Sequence, residues 1–178
     1  MDGASSDALE RARRVRLMIF DVDGVLTDGR LWYGPGGEEL KAFHSFDGHG
    51  MKMLAKSGVA TALLSGRSSR AASLRAAELG VAHVLQGIED KLAAFEALLA
   101  RLGLQAAAAG FMGDELVDLP VLRRCGFACA PREAPELVRR HVHYRAEAAA
   151  GAGAVREVCE LIMQAQGTLD EIRAPYLR

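Results

Sequence analysis

Ile19-Phe20-Asp21-Val22-Asp23-Gly24-Val25-Leu26-Thr27-Asp28-Gly29 follows directly on Val15-Arg16-Leu17-Met18, so an apolar run of strand length empties into two carboxylates spaced i, i+2. Successive strand residues face opposite ways, but a chain leaving a buried strand end can aim both carboxylates into one space. Gly24 and Gly29 bracket the turn and allow close backbone approach to a ligand. Two carboxylates at such a tip suit a hard cation and an acid/base pair, and they are costly to hold there for structure alone. Asp is also a common turn residue, so this stretch alone leaves a plain strand-to-loop turn open.

Working outward, strand-like and helix-like segments alternate. Val59 to Leu64 is a near-continuous apolar run, the pattern of a strand buried on both faces of a parallel sheet. His83 to Leu85, Ala107 to Met112, Phe127 to Ala130 and Val142 to Tyr144 read as further strands. Helices are expected from Asp47, as N-cap, through Lys56; after Ser65-Gly66-Arg67 to Leu79; over Glu89 to Leu102; over Val117 to Cys125; over Glu133 to Arg140; and along the Val155, Val158, Cys159, Ile162 stripe. Between the first strand and the first of these helices, two short runs flank Gly34-Pro35-Gly36-Gly37 and read as a β-hairpin over about residues 29–46. The alternation predicts an α/β fold, a doubly wound, mainly parallel sheet with a small hairpin flap. We expect a flexible or loosely helical N-terminal arm over 1–14, with Ser5, Ser6 and Asp7 as possible caps, one domain over 15–166 and a plain tail over 167–178.

Composition narrows the function classes. The 178 residues suffice for one domain with a real core, and 50% hydrophobic with 25% charged residues is ordinary for a soluble protein. A formal net charge of −1 gives no polyanion-binding surface, so no nucleic-acid partner is expected. No segment reaches the apolar length of a membrane span, and the polar, Arg-bearing first residues do not read as a secretory signal. Cys125, Cys129 and Cys159 form no CxxC pair and read as buried thiols in a reducing compartment, so a cytoplasmic location is expected. His141 and His143 lie near no motif and read as structural.

In a sheet of this kind, function collects at the carboxyl ends of the strands. The polar residues expected there are Asp21, Asp23, Ser65, Lys91 and Asp114. A strand-end Ser is usually a cap and a lone Lys a solvated charge, but together they fit phosphate-ester chemistry. Asp21 can attack phosphorus, Asp23 can protonate the leaving alkoxide and then activate water, and Ser65 with Lys91 can hold the phosphoryl oxygens. Mg²⁺ prefers oxygen ligands, which Asp21, Asp114 and a backbone carbonyl near Asp23 can supply.

This arrangement resembles the haloacid dehalogenase superfamily of phosphotransferases, whose four motifs stand here as DVDGV, SGR, Lys91 and GDELVD. The resemblance implies Asp21 as nucleophile, Asp23 as acid/base, and Mg²⁺ on Asp21, the Asp23 carbonyl and Asp114. The acidic residue after Asp114 is Glu115, an outer-sphere candidate together with Asp118. Neither the Asp21–Ser65 nor the Ser65–Asp114 interval has room for a cap domain.

Closer still, DVDGVLTDG, GEELKAFHSFDGHGMKML, QGIEDKL, GDELVDLPVL and GAVREVCELI are similar to the capless family that hydrolyses 3-deoxy-D-manno-octulosonate 8-phosphate in lipopolysaccharide sugar synthesis. That resemblance implies a homotetramer; with no cap over the site, the flap, carrying Trp32 and Tyr33, is expected to contribute to a neighbouring site, the alternative being an edge hairpin that packs on its own domain. It also implies substrate contacts from Asp23, His44, Ser45, Phe46, Asp47, Gly48, Lys52, Arg67, Arg75 and Lys91. Lys and Arg there would meet the carboxylate and phosphate of a sugar acid phosphate. The family often has Gly-Gly-Arg-Gly before AVRE, where this chain has Ala150-Gly151-Ala152-Gly153, so the Arg is lost at Ala152. An N-acylneuraminate or other nonulosonate 9-phosphate fits the same scaffold. A response-regulator receiver lacks the acid two residues after the nucleophile, and a non-catalytic scaffold domain would carry decayed motifs, whereas these are intact.

Overall fold

The structure, a computed structural model, describes residues 4–178. Six parallel strands form the sheet in the order β5-β4-β1-β6-β7-β8. They are β1 (Leu17–Phe20), β4 (Ala60–Leu64), β5 (His83–Leu85), β6 (Ala109–Met112), β7 (Phe127–Ala130) and β8 (Tyr144–Arg145). Starting at β1, the chain runs out to β4 and β5, returns to β6 on the other side of β1, and continues to β7 and β8. The strand order therefore reverses between β1 and β6, which opens a crevice at their carboxyl ends. Both neighbours pair in register with β1, Ile19 lying beside Ala62 on one side and Phe111 on the other.

The period of two along β1 explains the layers. Met18 and Phe20 pack on one face, against α1 (Ser6–Arg13), α2 (Ser45–Lys56), α3 (Arg70–Leu79), α7 (Ala154–Ala165) and α8 (Leu169–Arg173). Leu17 and Ile19 pack on the other, against α4 (Lys91–Leu102), α5 (Leu119–Leu122) and α6 (Glu136–Arg139). Each fully buried Phe or Ile of these layers contributes roughly 1.5–3 kcal/mol of apolar transfer. The doubly wound α/β expectation holds.

Four local expectations need correction. The arm foreseen over 1–14 is, from Ser6, a docked helix: Ser5 Oγ accepts from the Ala8 amide, and Ala8 and Ala12 are buried. Residues 1–3 lie outside the described part. The tail foreseen over 167–178 carries α8, whose Leu169 and Ile172 are buried in the same core. The helices foreseen over Val117–Cys125 and Glu133–Arg140 shrink to the single turns α5 and α6. Their starts are set by Pro120 and Pro135, which a helix tolerates only at its first turn. Finally, α2 is capped by His44, whose Nδ1 accepts from the Phe46 amide at 3.3 Å, and not by Asp47.

The hairpin is present as β2 (Trp32–Tyr33) and β3 (Glu39–Leu40), antiparallel, with Tyr33 opposite Glu39 and Trp32 opposite Leu40. The Gly34 amide donates to Glu38 O at 2.8 Å and closes the turn. No helix among the described residues is long and apolar enough to cross a membrane.

Candidate active site

Asp21 is the first residue past β1, and its amide donates to Met112 O at the end of β6, at 3.0 Å. The backbone thus carries its side chain into the crevice. The next residues form one tight turn, Val22–Leu26, with Gly24 at φ 85°. A Cβ at Gly24 would lie 2.1 Å from Asp114 Oδ2, so this position needs glycine for both its conformation and its room. Asp114 follows β6 by two residues.

The buried ammonium of Lys91, the first residue of α4, binds the group together. It lies 3.0 Å from Asp21 Oδ2 and donates to Asp118 Oδ1 at 2.7 Å. The other Asp118 oxygen accepts from the amides of Asp114 and Glu115 at 3.0 and 3.1 Å. Asp21 Oδ1 accepts from the Val22 amide at 2.8 Å. One oxygen each of Asp21, Asp114 and Asp118 lies within 4.8 Å of the others. Asp118 is spent on Lys91 and on the loop backbone, whereas Asp114 Oδ1 is buried with no hydrogen-bond partner.

Electrostatics tell the same story. Burial first, then the Asp118 charge, push the Asp21 carboxyl up to about 6 against the pull of Lys91. Burial, Asp21 and Asp118 push Asp114 up to about 7. Burial opposes the charge of Lys91, yet Asp21 and Asp118 outweigh it and raise its pKa. Like charges crowded in one crevice with one oxygen unpartnered fit a divalent cation, and an all-oxygen donor set fits Mg²⁺.

Asp21, Asp23, Ser65, Gly66, Arg67, Lys91, Asp114 and Glu115 line one open pocket of about 250 Å³ with Gly29 and Val117. The structure therefore brings together Asp21, Asp23, Ser65, Arg67, Lys91 and Asp114 from the sequence set. Ser65 is buried and its Oγ accepts from the Arg67 amide at 3.3 Å.

The remaining expected contacts do not line this pocket. His44 caps α2, Ser45 is exposed, and Phe46 is exposed with its ring edge-on to His44. Asp47 is buried, and its carboxylate accepts from the Gly153 and Arg156 amides at 3.2 and 2.8 Å. It caps α7, whose own N-cap is a glycine with no side chain to offer. Gly48 leaves room for the Arg75 guanidinium, which donates to Glu78 at 2.8 Å. Lys52 is exposed on α2. Ala152, the site of the lost Arg, lines a second pocket of about 540 Å³ that shares Asp114 and Glu115 with the first.

Sequence reasoning missed Lys41 and Glu39. The buried Lys41 ammonium donates to Asp23 Oδ1 and meets Glu39, while Arg67 lies 3.7 Å from Asp23 Oδ2 and donates to Tyr33 Oη at 3.0 Å. The available signal was the period of two, which puts Tyr33, Glu39 and Lys41 on one face of the hairpin.

No family model matches the chain. The 3-deoxy-D-manno-octulosonate 8-phosphate phosphatase of Escherichia coli K12 is 41% identical over 169 residues, covering 95% of this chain and 90% of that protein. The chain belongs to this phosphatase family. Within it, a Moraxella catarrhalis phosphatase solved with magnesium ion, phosphate ion and KDO is 39% identical, with a TM-score of 0.94 over 96% of this chain and 98% of that one. A probable YrbI-family phosphatase from Pseudomonas syringae is 47% identical, with a TM-score of 0.96 over 98% and 99% of the two chains.

The residues outside the site behave as the sequence suggested. His143 Nδ1 accepts from the Ala128 amide at 2.8 Å. All three cysteines are buried, and burial pushes the Cys125 thiol up to about 12, unsuited to nucleophilic work.

Proposed function

We propose that this chain is the Mg²⁺-dependent phosphatase that hydrolyses 3-deoxy-D-manno-octulosonate 8-phosphate to the free sugar acid and phosphate. The observation that carries the reading is Asp21, a buried carboxylate fixed by Lys91 at the mouth of a pocket, beside the unpartnered oxygen of Asp114. The substrate follows from membership of the family and from the named relatives.

Asp21 attacks phosphorus and becomes an aspartyl-phosphate, and Asp23 gives a proton to the departing sugar oxygen. Asp23 then takes a proton from the water that cleaves the intermediate. Ser65 and Lys91 hold the phosphoryl oxygens, and Arg67 meets the anionic substrate from the pocket rim. Asp21, Asp114 and the Asp23 carbonyl would hold Mg²⁺, which when bound would offset repulsion between the nucleophile and the phosphoryl group.

The eight-carbon ester is favoured over a nonulosonate 9-phosphate because the E. coli relative is named for the former. The catalytic unit takes in residues 15–166 together with α1 and α8, which pack on the same core, and works in the cytoplasm. It assembles as a homotetramer through the flap, where Leu31, Trp32, Tyr33 and Leu40 leave apolar surface exposed.

The test is Mg²⁺-dependent phosphate release from the octulosonate ester beside N-acetylneuraminate 9-phosphate, with Asp21→Asn as control. A preference for the octulosonate ester, reduced at least about 10³-fold by the substitution, is expected. Preference for the nine-carbon ester overturns the substrate, and release by Asp21→Asn overturns the mechanism.

A further inference from the structure

Lys41 is a buried cation to which the reaction above assigns no task. Its side chain is only 1% exposed, against 17% for Asp23 and 16% for Glu39. The ammonium donates to Asp23 Oδ1, whereas Asp23 Oδ2 is buried without a hydrogen-bond partner. The same Asp23 side chain lines the pocket that holds Asp21. The flap delivers this lysine because Lys41 shares a hairpin face with Tyr33 and Glu39, and that face looks onto Asp23 and Arg67.

We propose that Lys41 is a positioning residue for Asp23, occupying Oδ1 so that Oδ2 is the oxygen that gives and takes the proton. An ammonium has donors only and holds Oδ1 as an acceptor at hydrogen-bond range, whereas the nearest donor to Oδ2, Arg67 Nε, stands 3.7 Å away and makes no hydrogen bond, so the proton on Asp23 is favoured on Oδ2. In the first half-reaction a bond forms between an Asp21 carboxylate oxygen and phosphorus as the ester P–O bond breaks. The electron pair of that bond stays on the sugar oxygen, which takes the proton from Oδ2. In the second, the oxygen of water bonds to phosphorus, its proton passes to Oδ2, and the Asp21–phosphorus bond breaks with its pair returning to the carboxylate. Glu39 contacts the same ammonium and orients it. The inference rests on the assignment of Asp23 as acid/base and adds the residue that aims it.

The test exploits the leaving group. A sugar alkoxide must be protonated as it departs, whereas p-nitrophenolate leaves unaided. kcat/KM includes only the steps through departure of the leaving group, so it isolates this proton transfer from the later attack of water. Lys41→Met is expected to lower kcat/KM for the octulosonate ester about 10²-fold and for p-nitrophenyl phosphate at most about threefold. Lys41→Arg, which keeps donor and charge, restores most of the loss, and Asp23→Asn gives the reference ratio for the missing acid. Should the methionine variant fail to fold, Lys41→Gln is read by the same ratio, with a fall of about tenfold expected. Equal losses on both esters, or no loss on either, make Lys41 a packing residue and overturn the proposal. Phosphate release by Asp21→Asn would instead sink the underlying reaction, a separate outcome.

Discussion

Asp47 and Asp114 are both carboxylates removed from water by the fold, both with pKa values raised first of all by burial. Their surroundings differ in one respect. Asp47 is answered by two backbone amides at the start of α7, those of the N-cap Gly153 and of Arg156, so its negative charge completes a helix terminus. Asp114 has an oxygen that nothing in the chain answers, and its charged neighbours Asp21 and Asp118 repel it. A buried acid whose lone pairs are met by the fold is part of the scaffold; one left unmet is waiting for something from outside. The resemblance around Asp47 implied substrate contact; within the chain its carboxylate accepts from the backbone at the start of α7.

Substitution can turn that contrast into opposite signs. Asp114→Asn should abolish Mg²⁺-dependent turnover, by at least about 10³-fold, while raising the stability of the metal-free protein at pH 8 by roughly 1 kcal/mol, because a repelled charge is gone. Asp47→Ala should do the reverse. Two amides at the start of α7 lose their acceptor, and urea unfolding should show a loss of about 2–3 kcal/mol. The folded fraction should keep its kcat within severalfold. A stable Asp47→Ala enzyme with a strongly raised KM would return Asp47 to the substrate site and break the comparison.

How much of this was visible in the sequence depends on how far apart the partners lie. Two strands were legible because burial on both faces writes a continuous apolar run: Phe127–Ala130 falls where expected, and Val59–Leu64 overshoots β4 by one residue, while the half-exposed edge strand His83–Leu85 also falls where expected without such burial. Asp21, Lys91 and Asp114 were legible because each lies at the end of its own element: Asp21 directly after β1, Lys91 at the first position of α4 and Asp114 two residues after β6. The short α5 and α6 were over-read because apolar periodicity does not register how Pro120 and Pro135 confine a helix start. The role of Asp47 was invisible because its partners lie 106 and 109 residues away, and no local pattern encodes that meeting. Lys41 was missed for the same reason on a smaller scale. It reaches across 18 residues to Asp23, and only the register of the hairpin shows which face it is on.

The mildest expected effect is the one that pH alone should draw from the contrast. In the metal-free fold Asp21 and Asp114 hold their protons up to about 6 and about 7, whereas in the unfolded chain both let go near 3.8. Between those limits the folded state binds more protons than the unfolded one, so the stability these groups contribute is whole below the unfolded pKa. It is then lost as pH rises through the folded values. Metal-free protein should therefore weaken by on the order of 1–2 kcal/mol between pH 5 and pH 8, since coupling and solvent at Asp114 discount the full shift. Mg²⁺ competes with those protons, so its increment to the melting temperature should be larger at pH 8 than at pH 5, and absent from Asp114→Asn at both. Asp47→Asn should leave the difference between the two Mg²⁺ increments untouched, because the charge it removes faces α7 and not the crevice. If that variant flattens the Mg²⁺ response as Asp114→Asn does, the two acids belong to one electrostatic unit, and the division between scaffold and site fails.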